Sequence, residues 1–312
     1  LFEAMFHGKR SFADFMRGVS EDDLGRTHFR QGEKQRELNS PSERLRAYHR
    51  FLRVFLVDYL PAHEAVVFSY GKGVSARDAV ERHAQTRHFF VTDIESFFPS
   101  LTREIVRQTI TDALPQLPIA DLAAYLEHVL DYLCVDNVLP VGFATSPGLS
   151  NSALLRFDIA LHDACERAGV VYTRYADDLV LSAVDRGPLE AGEAALNELL
   201  QQMFKGALRL HQGKTKYLNV GNKIKLLGLV LLPNGTVSID ASVKNEIETL
   251  LHLYVRDRDR FNAFLDLSAA KTEARLSGLL NYANSADQAY LDKLRRKYGA
   301  ATVDLFVHRS FG

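Results

Sequence analysis

Two hydrophobic periods divide this chain. Apolar residues recurring at every second position predict strands, and those recurring at every third or fourth predict helices. The clearest strand pair spans residues 170–182, Val-Val-Tyr-Thr-Arg-Tyr-Ala-Asp-Asp-Leu-Val-Leu-Ser, and predicts a hairpin with Asp177 and Asp178 at its tip. Phe89, Phe90 and Val91 predict a short buried strand ending at Asp93. Pro99 and Ser100 then read as a turn, and Thr102 as the cap of a helix that starts at Arg103. Residues 27–38 place a polar centre containing Gly32 between extended flanks, which predicts a hairpin with Lys34 and Arg36 on one strand face. Ser42 opens a helix whose buried stripe is Leu45, Tyr48, Leu52, Phe55 and Leu56, with Arg46, Arg50 and Arg53 along another face.

Elsewhere the helical period dominates. Residues 2–16 predict one helix carrying Phe2, Phe6, Phe12 and Phe15, and residues 76–84 a helix with His83 after the glycine loop 68–73. A helix over 122–133 precedes the loop 139–151. That loop turns at Pro147-Gly148 into a long helix with Leu154, Leu155, Ile159, Leu161 and Ala164 on its core face. In it, Gly142 permits close backbone approach, and Thr145 and Ser146 offer hydroxyls to a base or sugar. Residues 189–204 predict an amphipathic helix, followed by a strand with Lys214, Lys216 and Tyr217. Residues 225–232 lead into a Pro-Asn-Gly-Thr turn, which predicts a second hairpin, and 242–267, 272–282 and 286–298 read as a three-helix terminal lobe.

At 312 residues and 46% apolar, the chain is long enough for two or three lobes. Its formal net charge of -1 conceals segregation. Residues 26–53 hold eight Arg and Lys against three Glu, residues 205–225 six against no acid, and residues 111–136 five acids and neither Lys nor Arg. Segregated positive charge of this kind predicts a polyanionic partner. Cys134 and Cys165 lie apart in apolar settings and read as free buried thiols in a reducing compartment. No apolar run reaches the length of a membrane span, so the sequence predicts a soluble, cytoplasmic protein with no membrane partner.

Three carboxylates stand out chemically. Asp177 and Asp178 share a tight hairpin, where two ionised side chains repel each other and a divalent cation relieves the cost. An aspartate pair is equally a favoured turn sequence. Asp93, at the exit of a buried strand about eighty residues earlier, tips the choice towards phosphoryl transfer, which uses carboxylates from separate strands to hold two metal ions.

Val91-Thr-Asp-Ile-Glu-Ser-Phe-Phe-Pro-Ser, Leu139-Pro-Val-Gly-Phe-Ala-Thr-Ser-Pro and Tyr175-Ala-Asp-Asp resemble three successive core motifs of reverse transcriptases, in order and spacing. The chain is similar to bacterial enzymes of the retron and group II intron type over nearly its whole length. The resemblance implies an α+β right-hand polymerase. Its fingers would cover 1–87, extended by part of 103–139. The palm, an antiparallel sheet backed by helices, would cover 88–238, and a helical thumb 239–312. It implies RNA-directed DNA synthesis with two Mg²⁺ ions, or Mn²⁺ in their place, held by Asp93, Asp177, Asp178 and the carbonyl of Ile94. Lys214 would be a general acid at the leaving pyrophosphate. Lys34 and Arg36 would contact the incoming dNTP, together with Val141, Gly142 and Tyr175. Phe98 would exclude a ribose 2′-hydroxyl, although it reads as well as a core aromatic, as does Phe97. Arg46, Arg50, Lys216, Arg295, Arg296 and a primer-gripping turn at Leu227-Gly228 would hold nucleic acid.

The implied partners are an RNA template, a DNA or RNA primer, a structured noncoding RNA and an effector protein of anti-phage defence. The chain departs from the pattern at three places. Val141 stands where the family usually has Gln, Asp78-Ala-Val-Glu-Arg-His83 where retron enzymes have Asn-Ala-x-x-His, and Leu226-Leu227-Gly228 where they have Val-Thr-Gly. These leave a second defence-associated branch, the abortive-infection type, beside the retron one. They also leave a template-independent, protein-primed DNA polymerase and a non-catalytic RNA-binding subunit as alternatives.

Overall fold

Local signals set most element ends in the computed structural model, which describes residues 1–31, 34–221, 223–264 and 269–307, with the side chains of 29–37 and 269 outside that description. The predicted first helix is two, α1 (Phe2–Phe6) and α2 (Phe12–Met16), because His7 and Gly8 take positive φ and end the first. Five-residue helices are unstable alone. These two are held by an aromatic cluster in which Phe2 lies 5.2 Å from Phe51 and Phe15 stacks on Tyr132 at 4.6 Å.

β1 (Leu24–Gln31) and β2 (Lys34–Pro41) form the predicted antiparallel hairpin, with Gln31 opposite Lys34. Gly32 and the side chains of Lys34 and Arg36 lie outside the described residues. Ser42 caps α3 (Glu43–Phe55) by accepting the Leu45 N–H at 3.0 Å. α4 (Ala76–Arg82) ends at the buried His83. β3 (His88–Asp93) leads to a short helix, α5 (Phe97–Ser100), where the sequence predicted a turn. α6 (Arg103–Ala113), capped by Thr102, and α7 (Leu122–Leu133) follow as expected.

The long helix after the loop is also two, α8 (Ser146–Ala153) and α9 (Leu155–Ala168), broken at Leu154, where ψ is 2°. The break changes the buried face. Ile159 is 44% exposed, while Phe157 and Asp158 are buried beside the expected Leu154 and Leu161. β4 (Val171–Tyr175) and β5 (Asp178–Ala183) make the predicted hairpin, and α10 (Arg186–Phe204) covers the amphipathic segment. β6 (Lys216–Asn219) starts after Lys214, which sits in a turn rather than on the strand.

Residues 225–232 are likewise not one strand. Positive φ at Leu227 and Gly228 turns β7 (Ile224–Leu226) back on β8 (Leu229–Leu231), and β9 (Val237–Ile239) pairs on the other side. Five helices are described in the terminal lobe instead of three: α11 (Ala241–Arg256), α12 (Arg258–Ala263), α13 (Ala269–Ala286), α14 (Gln288–Tyr298) and α15 (Ala300–Val307). Asp257 ends α11 and caps α12 by accepting the Arg260 N–H. Gly299, with φ +91°, separates the last two. Leu267, the predicted end of the first terminal helix, lies outside the described residues.

The chain divides into two compact units, Leu1–Lys72 with Phe89–Tyr217, and Gly73–His88 with Leu218–Gly312. The strand orders are β1-β2, β4-β5-β3-β6 and β7-β8-β9. Antiparallel sheets with segregated helices make this the α+β class that the sequence implied. In the first unit Phe90, Ile94, Leu179 and Leu181 of the sheet share a core with Leu154, Phe157 and Leu161. In the second, Leu229 and Leu231 are buried, as are Ile247, Leu250, Leu280 and Phe306 of its helices. Among the described residues no helix is long and apolar enough to cross a membrane.

Among the described residues one ion pair is fully buried. Arg174 of β4 donates through Nη2 to Asp158 Oδ2 of α9 at 2.6 Å and through Nε to Oδ1 at 2.9 Å, both side chains having no exposed surface. The Tyr172 hydroxyl donates to the same carboxylate at 2.8 Å. Removing one partner strands a buried charge. Arg174→Met is therefore expected to lower unfolding free energy by about 3–5 kcal/mol in urea titration, and Arg174→Met/Asp158→Leu to recover most of that.

His49 of α3 is buried, its Nε2–H donating to Tyr132 O at 2.8 Å, and burial holds its pKa down at about 4. The folded state stays neutral where the unfolded chain protonates, so stability is lost as pH falls from about 6.5 towards 4. His49→Leu should make that loss shallower, by about 1.4 kcal/mol per pH unit across this window, in unfolding measured at pH 7, 6 and 5.

Candidate active site

Asp93 ends β3, and its backbone carbonyl accepts the His211 N–H at 2.8 Å, which brings the segment around Lys214 alongside it. Asp93 is 3% exposed. One carboxylate oxygen, Oδ2, accepts from the Lys214 ammonium, and the other, Oδ1, is buried with no hydrogen-bond partner. Asp177 and Asp178 arrive from the β4–β5 hairpin, in which Tyr175 pairs with Asp178. The Ile94 N–H donates to the Asp177 carbonyl at 2.9 Å, tying the two strand ends together.

The electrostatics follow from this crowding. Burial, then the charges of Asp177 and Asp93, push the Asp178 carboxyl up to about 6. The hydrogen bond to Asp93, with the charges of all three aspartates, raises the Lys214 ammonium above its ordinary value. Lys214 thus sets one positive charge beside the three acids, and it remains half exposed.

A divalent cation is what such a group of hard oxygen donors takes, and the partnerless Oδ1 of Asp93 fits one. As the side chains stand, with Asp93 turned to Lys214, no three His, Cys, Asp or Glu among the described residues form a ready ligand cluster.

The hairpin tip is strained. Ala176 has φ +55°, a left-handed conformation that costs a non-glycine residue roughly 1–2 kcal/mol. Ser96, just before α5, has φ +49°. Phe97 is packed into the core, whereas Phe98 is only partly buried, its ring 5.4 Å from that of Phe97. Tyr175 is partly buried beside the acids.

A second feature of the same unit lies along α3. Arg46, Arg50 and Arg53, all exposed, line a groove of about 390 Å³ with Asn39, His49 and Gly142. Val141, partly buried next to this groove's Gly142, accepts the Asn39 N–H through its carbonyl at 2.9 Å. Gly142 has φ +106°, and a Cβ there would stand 2.3 Å from Asn39 O. Thr145 and Ser146 are buried, Ser146 bonding Pro140 O at 2.7 Å, so neither presents its hydroxyl as the sequence suggested.

Lys216 is exposed on β6. In the other unit the Leu227-Gly228 turn is held by the Tyr282 hydroxyl, which donates to Gly228 O at 3.0 Å. Arg295 is engaged by Asp292 and Asp304, each at 2.8 Å, while Arg296 is exposed.

Residues 30–231 match the family model described as reverse transcriptase (RNA-dependent DNA polymerase). The chain belongs to this family. It is 24% identical to the retron Ec83 reverse transcriptase of Escherichia coli over 277 residues, covering 86% of this chain and 84% of that one. It is 28% identical to the retron Mx65 reverse transcriptase of Myxococcus xanthus, covering 84% of this chain and 61% of that longer protein. Its curated relatives are thus bacterial retron enzymes.

Among solved structures, apo telomerase from Candida tropicalis superposes with a TM-score of 0.53 at 10% identity, over 88% of this chain and 58% of that one. Telomerase from Candida albicans does so with a TM-score of 0.52, over the whole of this chain and 66% of that one. These two share the fold. Membership makes the protein an RNA-directed DNA polymerase of a family whose enzymes use divalent metal ions.

The sequence reading of this reverse transcriptase missed the groups behind the hairpin: Ser69, Asn151, Asp158 and Arg174. A signal was present. Arg174 is a charge inside an apolar strand, and Asp158 lies at helical spacing between Leu154 and Leu161, so each called for a buried partner.

Gly142→Ala tests the approach of β2 to the loop. It combines a left-handed φ with a clash against backbone, and should destabilise the chain by at least about 1–2 kcal/mol. Thermal unfolding with and without a single-stranded RNA oligomer should show that it also reduces RNA-dependent stabilisation.

Proposed function

We propose that this chain synthesises DNA on an RNA template from a primer hydroxyl, in the manner of a retron enzyme copying a dedicated structured noncoding RNA in anti-phage defence. The observation that carries the reading is that Asp177 and Asp93 both act on the partly buried Asp178 carboxyl, beside a buried Asp93 oxygen with no partner and the Lys214 ammonium. Asp93, Asp177 and Asp178, with the Ile94 carbonyl, would hold two Mg²⁺, or Mn²⁺ in their place, which would supply acidification of the attacking hydroxyl and neutralisation of phosphate charge.

The remaining steps belong to side chains. Lys214, kept protonated by Asp93, donates its proton to the departing pyrophosphate. The partly open ring of Phe98, rather than the buried Phe97, stands where a ribose 2′-hydroxyl is excluded. Lys34 and Arg36 neutralise the incoming dNTP triphosphate with Tyr175 and Gly142 beside it, and Arg46 and Arg50 with Lys216 bind backbone phosphates.

In the polymerase layout, residues 1–87 with part of 103–139 act as fingers, 88–238 as palm and 239–312 as thumb. The Leu227-Gly228 turn then grips the primer, and the exposed Arg296 contacts the duplex more readily than the paired Arg295. The expected partners are the noncoding RNA, whose 2′-hydroxyl serves as primer, and a defence effector protein, all in the cytoplasm.

Val141 favours a second reading. An apolar residue whose backbone is committed to Asn39 offers no side-chain amide to a base pair, which suits synthesis without a template, primed by protein.

Primer extension on a defined heteropolymeric RNA, with Mg²⁺ and all four dNTPs, tests both. The expected product is DNA complementary to the template, with Asp177→Asn/Asp178→Asn reducing its rate by at least about a thousandfold while RNA binding is kept. Product unrelated to the template would favour the second reading. Equal activity in the double variant would remove the carboxylates from the mechanism.

A further inference from the structure

Ala176 is the pivot of the turn that aims Asp177 and Asp178. Because Tyr175 pairs with Asp178, the loop contains only Ala176 and Asp177. Of these, Ala176 takes positive φ. Two-residue hairpin loops normally place glycine at a first position of that kind. Here alanine is kept in the conformation by groups that grip both of its backbone polar atoms from behind. Its carbonyl accepts from Arg174 Nη1 at 3.1 Å, and its N–H donates to the Ser69 hydroxyl at 2.9 Å.

Ser69 belongs to neither strand of the hairpin and is 1% exposed. It is delivered there because the segment before it runs alongside β4. Arg174 N–H donates to Val66 O at 2.8 Å, and Phe68 N–H to Arg174 O at 3.0 Å. The Ser69 hydroxyl donates in turn to Asn151 Oδ1 at 3.3 Å, which also accepts from Arg174 Nη1 at 3.2 Å. Asn151 Nδ2 donates back to the Ser69 carbonyl at 2.8 Å. The hydroxyl therefore closes a ring of contacts that joins α8, the 66–71 segment and the turn. The next residue, Tyr70, also has positive φ, is half exposed, and lies near enough to Asp177 for that charge to act on its phenol.

We propose that Ser69 is a positioning residue for nucleotidyl transfer: with Asn151 it locks Ala176 in the left-handed conformation and so fixes where the Asp177 and Asp178 carboxylates stand. The inference rests on the reading of those two aspartates given above. A hydroxyl is required because the position must accept one hydrogen bond and donate another at the same time. Without it the turn has a buried N–H with no partner and an alanine that favours negative φ, and the carboxylates shift.

The test uses the full chain as wild type, Ser69→Ala, Ser69→Thr and Ser69→Ala/Ala176→Gly, with two readouts. Primer extension is expected to show Ser69→Ala lowering kcat roughly 10- to 100-fold, with KM for dNTP within about twofold. Ser69→Thr should keep kcat near wild type. Glycine at the pivot needs no help to take positive φ, so Ala176→Gly in the Ser69→Ala background should restore much of the loss. Hydrogen exchange of the peptide covering 171–183, without metal or nucleotide, should be faster in Ser69→Ala and unchanged in Ser69→Thr.

A Ser69→Ala enzyme that unfolds more easily but keeps wild-type kcat and turn exchange overturns the proposal, leaving Ser69 a structural hydrogen bond. So does a kcat loss that Ala176→Gly leaves untouched. If the wild type makes no template-matched DNA, the polymerase reading fails, and exchange at the turn still decides the positioning by itself.

Discussion

The buried pair of Arg174 and Asp158 is the constraint on which the centre of this protein rests. A guanidinium and a carboxylate with no exposed surface survive only if every donor and lone pair is used. Here they are shared out between Asp158, Tyr172, Asn151 and the carbonyl of Ala176. The pair thereby couples three elements of the fold, the helices α8 and α9 and the strand β4, to the hairpin turn at Ala176. A charge that must be satisfied in one geometry selects that geometry, which an apolar contact of the same area does not. The acid-bearing hairpin grows directly out of the strand so fixed.

In front of that scaffold the electrostatics reverse. Behind the hairpin, positive and negative charge are matched, while at its tip three carboxylates face one lysine. The mismatch is visible in opposite shifts, with Asp178 driven towards the neutral form and Lys214 held in the charged one. A site that is under-neutralised while its supports are fully neutralised is poised for a cationic ligand. The proposed role of the aspartates draws on this contrast as much as on their identity.

The groove beside α3 is made by a different device. Gly142 lets the backbone of β2 come against the loop, so that Asn39 and Val141 share a hydrogen bond and the arginines of α3 face the same opening.

Periodicity and caps alone determined much of this architecture: the hairpin 170–182, the strand into Asp93, the Ser42 and Thr102 caps and the helix Leu122–Leu133 are local properties, decided by neighbouring residues. So was the acid triad, because aspartates at strand ends interrupt apolar runs and can be seen there. The sequence did not reveal the breaks at His7, Leu154 and Asp257, where positive φ or a change of axis depends on what packs nearby. Nor did it reveal which of Phe97 and Phe98 is buried, or that Arg295 is spent on Asp292 and Asp304. Ser69 is the sharpest case. One serine in a glycine loop carries no signal of its own, and its role exists only because distant segments close around Ala176. Local order is set by short-range sterics and hydrogen bonds that neighbouring residues carry with them. The partners of a buried polar atom are chosen by the whole fold.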